Sequence, residues 1–592
     1  QINYYYLLNY NKKKYRSLFL LLYFLNLFYL NFVLSQEKAT EIRAVWLTTV
    51  DYLDWPKPNE IGNQFAQQSS LINILNQLQN LNINTIFFQV RPRGNSFYSS
   101  SYEPWAKELT GTLGKNPNWD PLKFIIEEAN KRGIEVHAWI NICKIWSGVY
   151  KPESNNHLLN KHPEWCKIHD NEWWLDFGYP EARNYTIKII DEIISNYDID
   201  GLHFDYIRYP SKNFDDHTSY NIYGKNQKRD DWRRDNINSF LREIRKLVET
   251  KKPYIKIGAA PIGIYKNTSS ISGLSSYDNL FQDTKYWLDN NLVDYITPQT
   301  YWDFNDTRRD PSFEKVITEW QIIKKGKCIA PGIGLWKNSI AKEIDKYINV
   351  LRNYDFEGFA LFRTEHTLSN NILKATLKNA AKIPKLNNIK DFFSSEDLFL
   401  KTEKSNNKLY LSWQTNRKDI KFFNIYKIKD TSKILISIVG KNINFYEIND
   451  TLNSNYAISF TTRYDSESPL FFLKQLTIAK KSENSVLVNT NISDSTKNIL
   501  KFMQQLPLDF YVACYPNPFY DYMLIVYEIN KKSDIELSIY DSNNNEIQKI
   551  IKGIQNKGRY VVKIDGKGLK KGLYICRLRV GDKIKQKSII KQ

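Results

Sequence analysis

Across residues 41–383 the sequence alternates eight times between a short β-rich run and an amphipathic helical stretch, and this repetition restricts the fold more than any other feature. The β-rich runs fall at 43–50, 83–92, 134–141, 200–207, 255–263, 294–302, 327–336 and 358–366. Between them, segments such as DPLKFIIEEANKRG and EARNYTIKIIDEIISNY carry apolar residues at helical spacing. Eight successive β/α units predict an α/β fold of the closed (β/α)8 or TIM-barrel type. An open doubly wound sheet uses fewer units and binds a nucleotide through a Gly-rich turn after its first strand. Here Val50 runs instead into Asp51-Tyr52-Leu53-Asp54-Trp55-Pro56.

Beyond Ile383 the helical pattern stops. Runs such as NKLYLSWQTN, IKFFNIYKIK and NYAISFTTRY alternate apolar and polar residues, as in a β-sandwich. The expected order is a barrel over 41–383 followed by two small all-β domains, at 386–480 and 509–592, with a polar linker at 481–508. At the other end, KKKYR precedes the apolar run LFLLLYFLNLFYLNFVL, so 1–36 reads as a signal peptide or N-terminal anchor. Asn26 and Asn31 within the run favour cleavage. A secreted or cell-surface location follows as the expectation, with association to an outer membrane.

The net charge of +19 comes from basic residues scattered along the chain, with no stripe or finger, so nucleic acid is not an expected partner. The five cysteines form no C-x-x-C pair and no evident disulfide framework, and no metal-ligand spacing occurs. Neither a metal nor a cofactor is expected, and a monomer is. The 15 Trp and 39 Tyr exceed ordinary packing needs, and flat rings are platforms for sugars.

Barrel active groups come from the C-terminal ends of the strands. Those ends supply Gln89 and Arg91, His137 and Asn141, then His203, Asp205 and Arg208. Later strands add Gln299, Tyr301, Trp302 and Asp303, and finally Arg363, Glu365 and His366. Residues two apart share a strand face, which pairs His203 with Asp205. Glycoside hydrolysis needs two carboxyl groups, one as acid and one as nucleophile or base. Asp205 is the first candidate, because His203 and Arg208 stand near it in sequence. Its partner is Asp303 or Glu365. Arg91, His137, Asn141, His203, Arg208, Gln299, Tyr301 and Trp302 are expected to bind a polysaccharide. A glycan-binding or adhesion protein on a degenerate, non-catalytic barrel is the alternative.

These residues carry a resemblance. EIRAVWLTTVDYLDWP, INTIFFQVRPRGNSFYSSSYEPWAKELTG, DPLKFIIEEANKRGIEVHAWIN, WLDFGYPEARNY, YDIDGLHFDYIRYP and DYITPQTYW, in that order, resemble the glycosyl hydrolase-like 10 family (DUF187). The resemblance implies a (β/α)8 fold and glycosidase activity on cell-wall glycans, such as denuded peptidoglycan strands. Two departures stand at the expected mouth. Asn95 replaces a usual Asp, and Ile142, Cys143 and Lys144 replace a Pro, an aromatic residue and an Arg. The runs LSWQTN, FNIYKI and YAISFTTRYDSESP resemble fibronectin type III modules. YPNPF, GLYICRLRVGDK and the basic tail resemble a type IX secretion sorting domain, which implies secretion machinery as a partner.

Overall fold

The computed structural model describes residues 38–472 and 512–591, apart from short internal stretches such as 306, 308–309, 387–388 and 449–454. The expected signal segment at 1–36 and linker at 481–508 lie outside the described residues. Among the described residues no helix is long and apolar enough to cross a membrane.

The barrel strands are β1 (Ile42–Leu47), β2 (Thr85–Arg91), β3 (Glu135–Asn141), β4 (Gly201–Asp205) and β5 (Lys256–Ala259). They continue with β6 (Tyr295–Ile296), β7 (Cys328–Ile329), β8 (Gly332–Gly334) and β9 (Gly358–Phe362). All pair in parallel in the order β7-β6-β5-β4-β3-β2-β1-β9-β8. β7 and β8 are two halves of one strand, interrupted at Ala330-Pro331, where proline has no N–H to give the ladder. The first half pairs with β6 and the second with β9. A further bridge joins Gln299 to Gly332. The sheet therefore closes on itself as eight strands, in agreement with the eightfold sequence pattern.

Helices surround the barrel, and their starts are written in the sequence. Asn63 caps Gln64–Asn80 by accepting from the Ala66 N–H at 3.1 Å, and Asp120 caps Pro121–Lys131 from the Lys123 N–H at 2.9 Å. Pro121 and Pro180 occupy first-turn positions where an N–H is not needed. The apolar faces of these helices pack on the outward residues of the strands, and that layer forms the main core.

The lumen is filled rather than open. Trp46, Phe87, Trp139 and Tyr295 interleave with Ala44, Ala260, Ala330 and Ala360. Space is so short that a Cβ on Gly258 would lie 2.0 Å from the Tyr295 ring. A hydrogen-bond chain threads this packing. The Trp46 indole N–H donates to His203 Nε2 at 3.0 Å, and His203 Nδ1 pairs with the Tyr295 hydroxyl at 3.1 Å. That hydroxyl meets His137 Nδ1 at 2.7 Å, and His137 Nε2 meets Glu135 at 3.0 Å.

The chain ends in a buried ion cluster at the N-terminal rim of the barrel. Glu135 is joined by Lys256 at 2.6 Å and by Lys421, while Asp465 takes Lys256 at 2.9 Å and Lys421 at 2.9 Å. Lys421 and Asp465 belong to the first all-β module. Its two antiparallel sheets contain Phe399–Ser405, Lys408–Gln414 and Phe445–Ile448 in one, and Ser432–Gly440, Ile420–Lys429, Asn455–Thr462 and Phe471–Phe472 in the other. Leu411, Trp413, Phe423, Ile458 and Phe460 form its core. The module covers the barrel's N-terminal rim, the end remote from the strand tips.

The C-terminal unit is a separate all-β body. One sheet contains Val512–Tyr515, Tyr522–Ile529 and Gly558–Asp565, and the other Glu546–Gln555, Ser533–Asp541, Gly572–Val580 and Lys583–Lys591. Its core centres on Phe519, Met523, Ile525, Leu537 and Leu578. The five cysteines are all buried free thiols.

Candidate active site

Asp205 ends β4 at the mouth and is 8% exposed. Its Oδ1 accepts from the Tyr206 N–H at 2.8 Å and from the Gln299 amide at 3.3 Å. Burial pushes its carboxyl up to about 6, against the opposing pull of these hydrogen bonds and of the Arg208 and Lys144 charges. Tyr206, at φ 49°, stands in the left-handed region. Such backbone strain gathers at functional sites because it aims a side chain where regular structure would not.

Around Asp205 the expected residues separate into two groups. Gln299 bridges to Ile262 and Gly332, which fixes it at the rim between strands. Tyr301 lies near enough for the Asp205 charge to raise its hydroxyl, after the larger effect of burial. Its ring meets Trp336 edge-on at 4.7 Å. Trp302 donates to Asp310 at 3.3 Å, and Arg208 lies half-buried against Trp174 and Tyr206. These four gather at the mouth with Asp205.

Four others do not reach it as expected. His203 is fully buried in the lumen, stacked on Phe87 at 3.8 Å, and burial holds it well below its ordinary pKa. His137 is spent on Tyr295 and Glu135, toward the opposite rim. Arg91 makes a closed fork with Glu103, at 2.7 and 2.6 Å, and both side chains are 0% exposed. The register of β2 against β3 shifts between Gln89 and Arg91, so the two do not share a face as alternation predicts. Asn141 is 1% exposed and gives its amide to the Pro92 carbonyl at 2.8 Å, bracing the wall beside Asp205. Replacing Glu103 by Gln, which leaves the Arg91 charge buried without its counter-ion, is expected to cost about 3–5 kcal/mol of stability, read as a lower denaturant midpoint.

Of the proposed partner carboxylates, Asp303 is on a loop and Glu365 is in the first turn of the short helix Thr364–Leu368. Asp303 is half-exposed, with Lys337 at 3.9 Å. Glu365 is exposed and is held below the usual carboxylate range by Arg363, at 2.9 Å. A third mouth carboxylate lies off the strand ends. Glu172 lies on a three-stranded antiparallel insertion after β3, made of Lys144–Ser147, Glu172–Leu175 and Cys166–His169. It pairs with Lys144, whose ammonium lies 5.1 Å from the centre of the Tyr206 ring. The insertion is tied to the site by backbone bonds, from Ile142 N–H to the Asp205 carbonyl at 2.9 Å and from Cys143 N–H to the Tyr206 carbonyl at 3.0 Å. Asp176 also has its carboxyl pushed up to about 6, but its oxygens are taken by Ser219 and the Gly178 N–H, and it is 0% exposed. Its role is to hold the insertion's base.

The departures at the mouth divide similarly. Asn95 is buried, and its side-chain oxygen accepts from the Arg93 N–H at 3.1 Å, as an Asp would in the same turn. Ile142 and Cys143 are core residues, so Lys144 is the one replacement that faces the site. Trp336 is 44% exposed beyond β8 and is folded back over Gly334, where a Cβ would lie 2.6 Å from its ring.

Fold and mouth together define a TIM-barrel protein whose polar loops converge on one buried carboxylate of raised pKa. The glycosyl hydrolase-like 10 pattern matches residues 41–346, just over half the sequence, and the chain belongs to that family. It is 36% identical over 306 residues to the glycosyl hydrolase YngK of Bacillus subtilis, covering 49% of this chain and 59% of that one. It is 34% identical over 313 residues to the glycosyl hydrolase DigH of Escherichia coli K12, covering 48% of this chain and 70% of that one. The chain thus spans less than two thirds of the Bacillus relative. A solved endo-beta-1,4-mannanase from Thermotoga petrophila aligns over 94% of this chain and 99% of its own, at 11% identity and a TM-score of 0.36, a likeness too loose to carry an argument. The secretion system C-terminal sorting domain matches residues 513–592, which marks the chain for export to the cell surface or medium.

Proposed function

We propose that this protein is an exported glycoside hydrolase that cleaves glycosidic bonds of a cell-wall polysaccharide, denuded peptidoglycan strands in particular, with Asp205 as its ionised catalytic carboxylate. The observation that carries the reading is Asp205 itself: a carboxyl of raised pKa at the C-terminal end of a barrel strand, fixed by Gln299 and the Tyr206 N–H, with Tyr301 close by and Trp336 against Tyr301. At neutral pH a group with a pKa of about 6 is mostly charged, which suits a nucleophile or base. The proton donor is then sought among Asp303, Glu365 and Glu172. Of these, Glu365 is the poorest donor, because Arg363 holds it ionised. The half-exposed Trp336 and Trp302 provide flat faces for sugar rings. The first all-β module is read as fibronectin type III-like, and the N-terminal segment as the export signal.

The test is release of saccharides from amidase-stripped strands by the full chain, compared with its Asp205→Asn, Asp303→Asn, Glu365→Gln and Glu172→Gln variants. Failure of the wild type to release any saccharide would overturn the reading. The rate is expected to rise with pH through an inflection near 6 as Asp205 ionises. Lys144→Met removes a cation that favours the ionised form, so its inflection is expected to move to higher pH.

A further inference from the structure

The arginines of the barrel are almost all spoken for. Arg91 is held by Glu103, Arg233 by Asp216, Arg352 by Glu41 and Arg363 by Asp54. Among the described arginines Arg208 is the exception at the mouth. Among the described residues its guanidinium has no carboxylate within 4 Å and no hydrogen-bond partner. It is held by two rings, 5.3 Å from the centre of Trp174 and 5.1 Å from the centre of Tyr206. Lys144 rests on the same Tyr206 ring at 5.1 Å, although it is only 7% exposed. A third cation stands close by: Arg93 donates to Ser147 at 2.6 Å, on the strand that begins with Lys144.

Three cations therefore crowd one side of Asp205, and their mutual repulsion is visible. Lys144 is pushed below its ordinary pKa first by burial and then by the charges of Arg93 and Arg208, against the pull of Glu172. Desolvating like charges side by side is unfavourable unless an anion completes the group. Glu172 satisfies Lys144, and Asp51 lies 3.8 Å from Arg93, whereas among the described residues Asp205 and Glu172 act on Arg208 only from beyond contact distance. Its planar fork is held by the rings, and no described side chain bonds to it. A guanidinium in that state matches a carboxylate through two parallel N–H donors.

We infer that Arg208, seconded by Lys144, receives a carboxylate carried by the sugar substrate, so that the glycan cleaved here is an anionic one, such as a strand of amino sugars bearing free lactyl ethers. This rests on reading the mouth as a glycan site. A monoanion fits better than a phosphate, because Asp205 and Glu172 flank the fork and repel a second negative charge. The inference makes Arg208 a specificity-determining residue rather than only a neighbour that tunes Asp205.

The full chain carrying Asp205→Asn, which binds without consuming its ligand, tests this by calorimetry. Two probes are compared: amidase-stripped strands with free lactyl carboxylates, and the same strands with those carboxylates converted to neutral methylamides. The free acid is expected to bind at least about tenfold more tightly. That preference should vanish when Arg208→Met is added and shrink when Lys144→Met is added. Unchanged affinity of the Arg208→Met protein for the amidated strands would show that the mouth is still formed. Equal affinity for the two strands, or a preference that survives Arg208→Met, overturns the inference and leaves the glycan reading standing. Absence of binding to both strands overturns the two together.

Discussion

Asp205→Asn is expected to lower glycan cleavage by about a thousandfold or more while making the folded protein more stable. The first effect follows from removing the carboxylate proposed to attack the anomeric carbon or to activate water. The second follows from the carboxylate's surroundings. Its pKa is 3.8 in an ordinary setting and about 6 in the fold, so the fold favours the neutral form. Below the ordinary value both states are neutral and nothing is lost. As pH rises from there through 6, ionisation in the fold becomes the costlier one, and above 6 the cost levels at about 3 kcal/mol. The Asn variant avoids that cost. Its melting temperature should therefore exceed that of the wild type at pH 7.5 and approach it at pH 4. A variant that digests strands at the wild-type rate would remove Asp205 from the mechanism. One that melts lower at pH 7.5 would show that the carboxylate is held for structure.

The second large effect is expected far from the mouth. Among the described residues, Lys421→Met leaves Glu135 and Asp465 with Lys256 as the one lysine or arginine in contact with them, in a place where both carboxylates are at most 2% exposed on their side chains. Breaking a buried ion cluster by removing one partner costs about 3–5 kcal/mol. Glu135 is held well below the usual carboxylate range by Lys256 and Lys421, which outweigh the opposing effect of burial. Its contribution is therefore present at neutral pH and lost as pH falls through that depressed value. Thermal melts of the variant should show a large drop, while its pH–rate inflection stays near that of the wild type. A melting point within a degree of the wild type would show that the cluster contributes nothing.

The barrel was legible because short β-rich runs, buried throughout in β1, β2 and β3, alternate with stretches of apolar residues at helical spacing. Closure was legible too, although the interruption at Pro331 was not. Height inside the barrel was not legible. Alternation tells which residues face the lumen, but His203 lies two residues before Asp205, roughly 6–7 Å lower along the strand. At that depth a side chain meets Phe87 and Tyr295 rather than solvent. Arg91 was misplaced for a different reason, since the register shift in β2 depends on its partner strand and leaves no local mark. Glu172 escaped notice because it sits in an insertion whose strands are four residues long. The segment NEWWL gives little sign that it folds back over the mouth.

The module at the N-terminal rim changes where this protein ought to be divided. By pattern, the chain changes character at Ile383, and a cut there looks clean. By charge, that cut would strip Glu135 of Lys421 and leave Asp198 without Arg463 and Lys441, which the module also supplies. The smallest piece that can melt as an independent body is then the barrel together with its floor, and the two should lose structure in a single cooperative step.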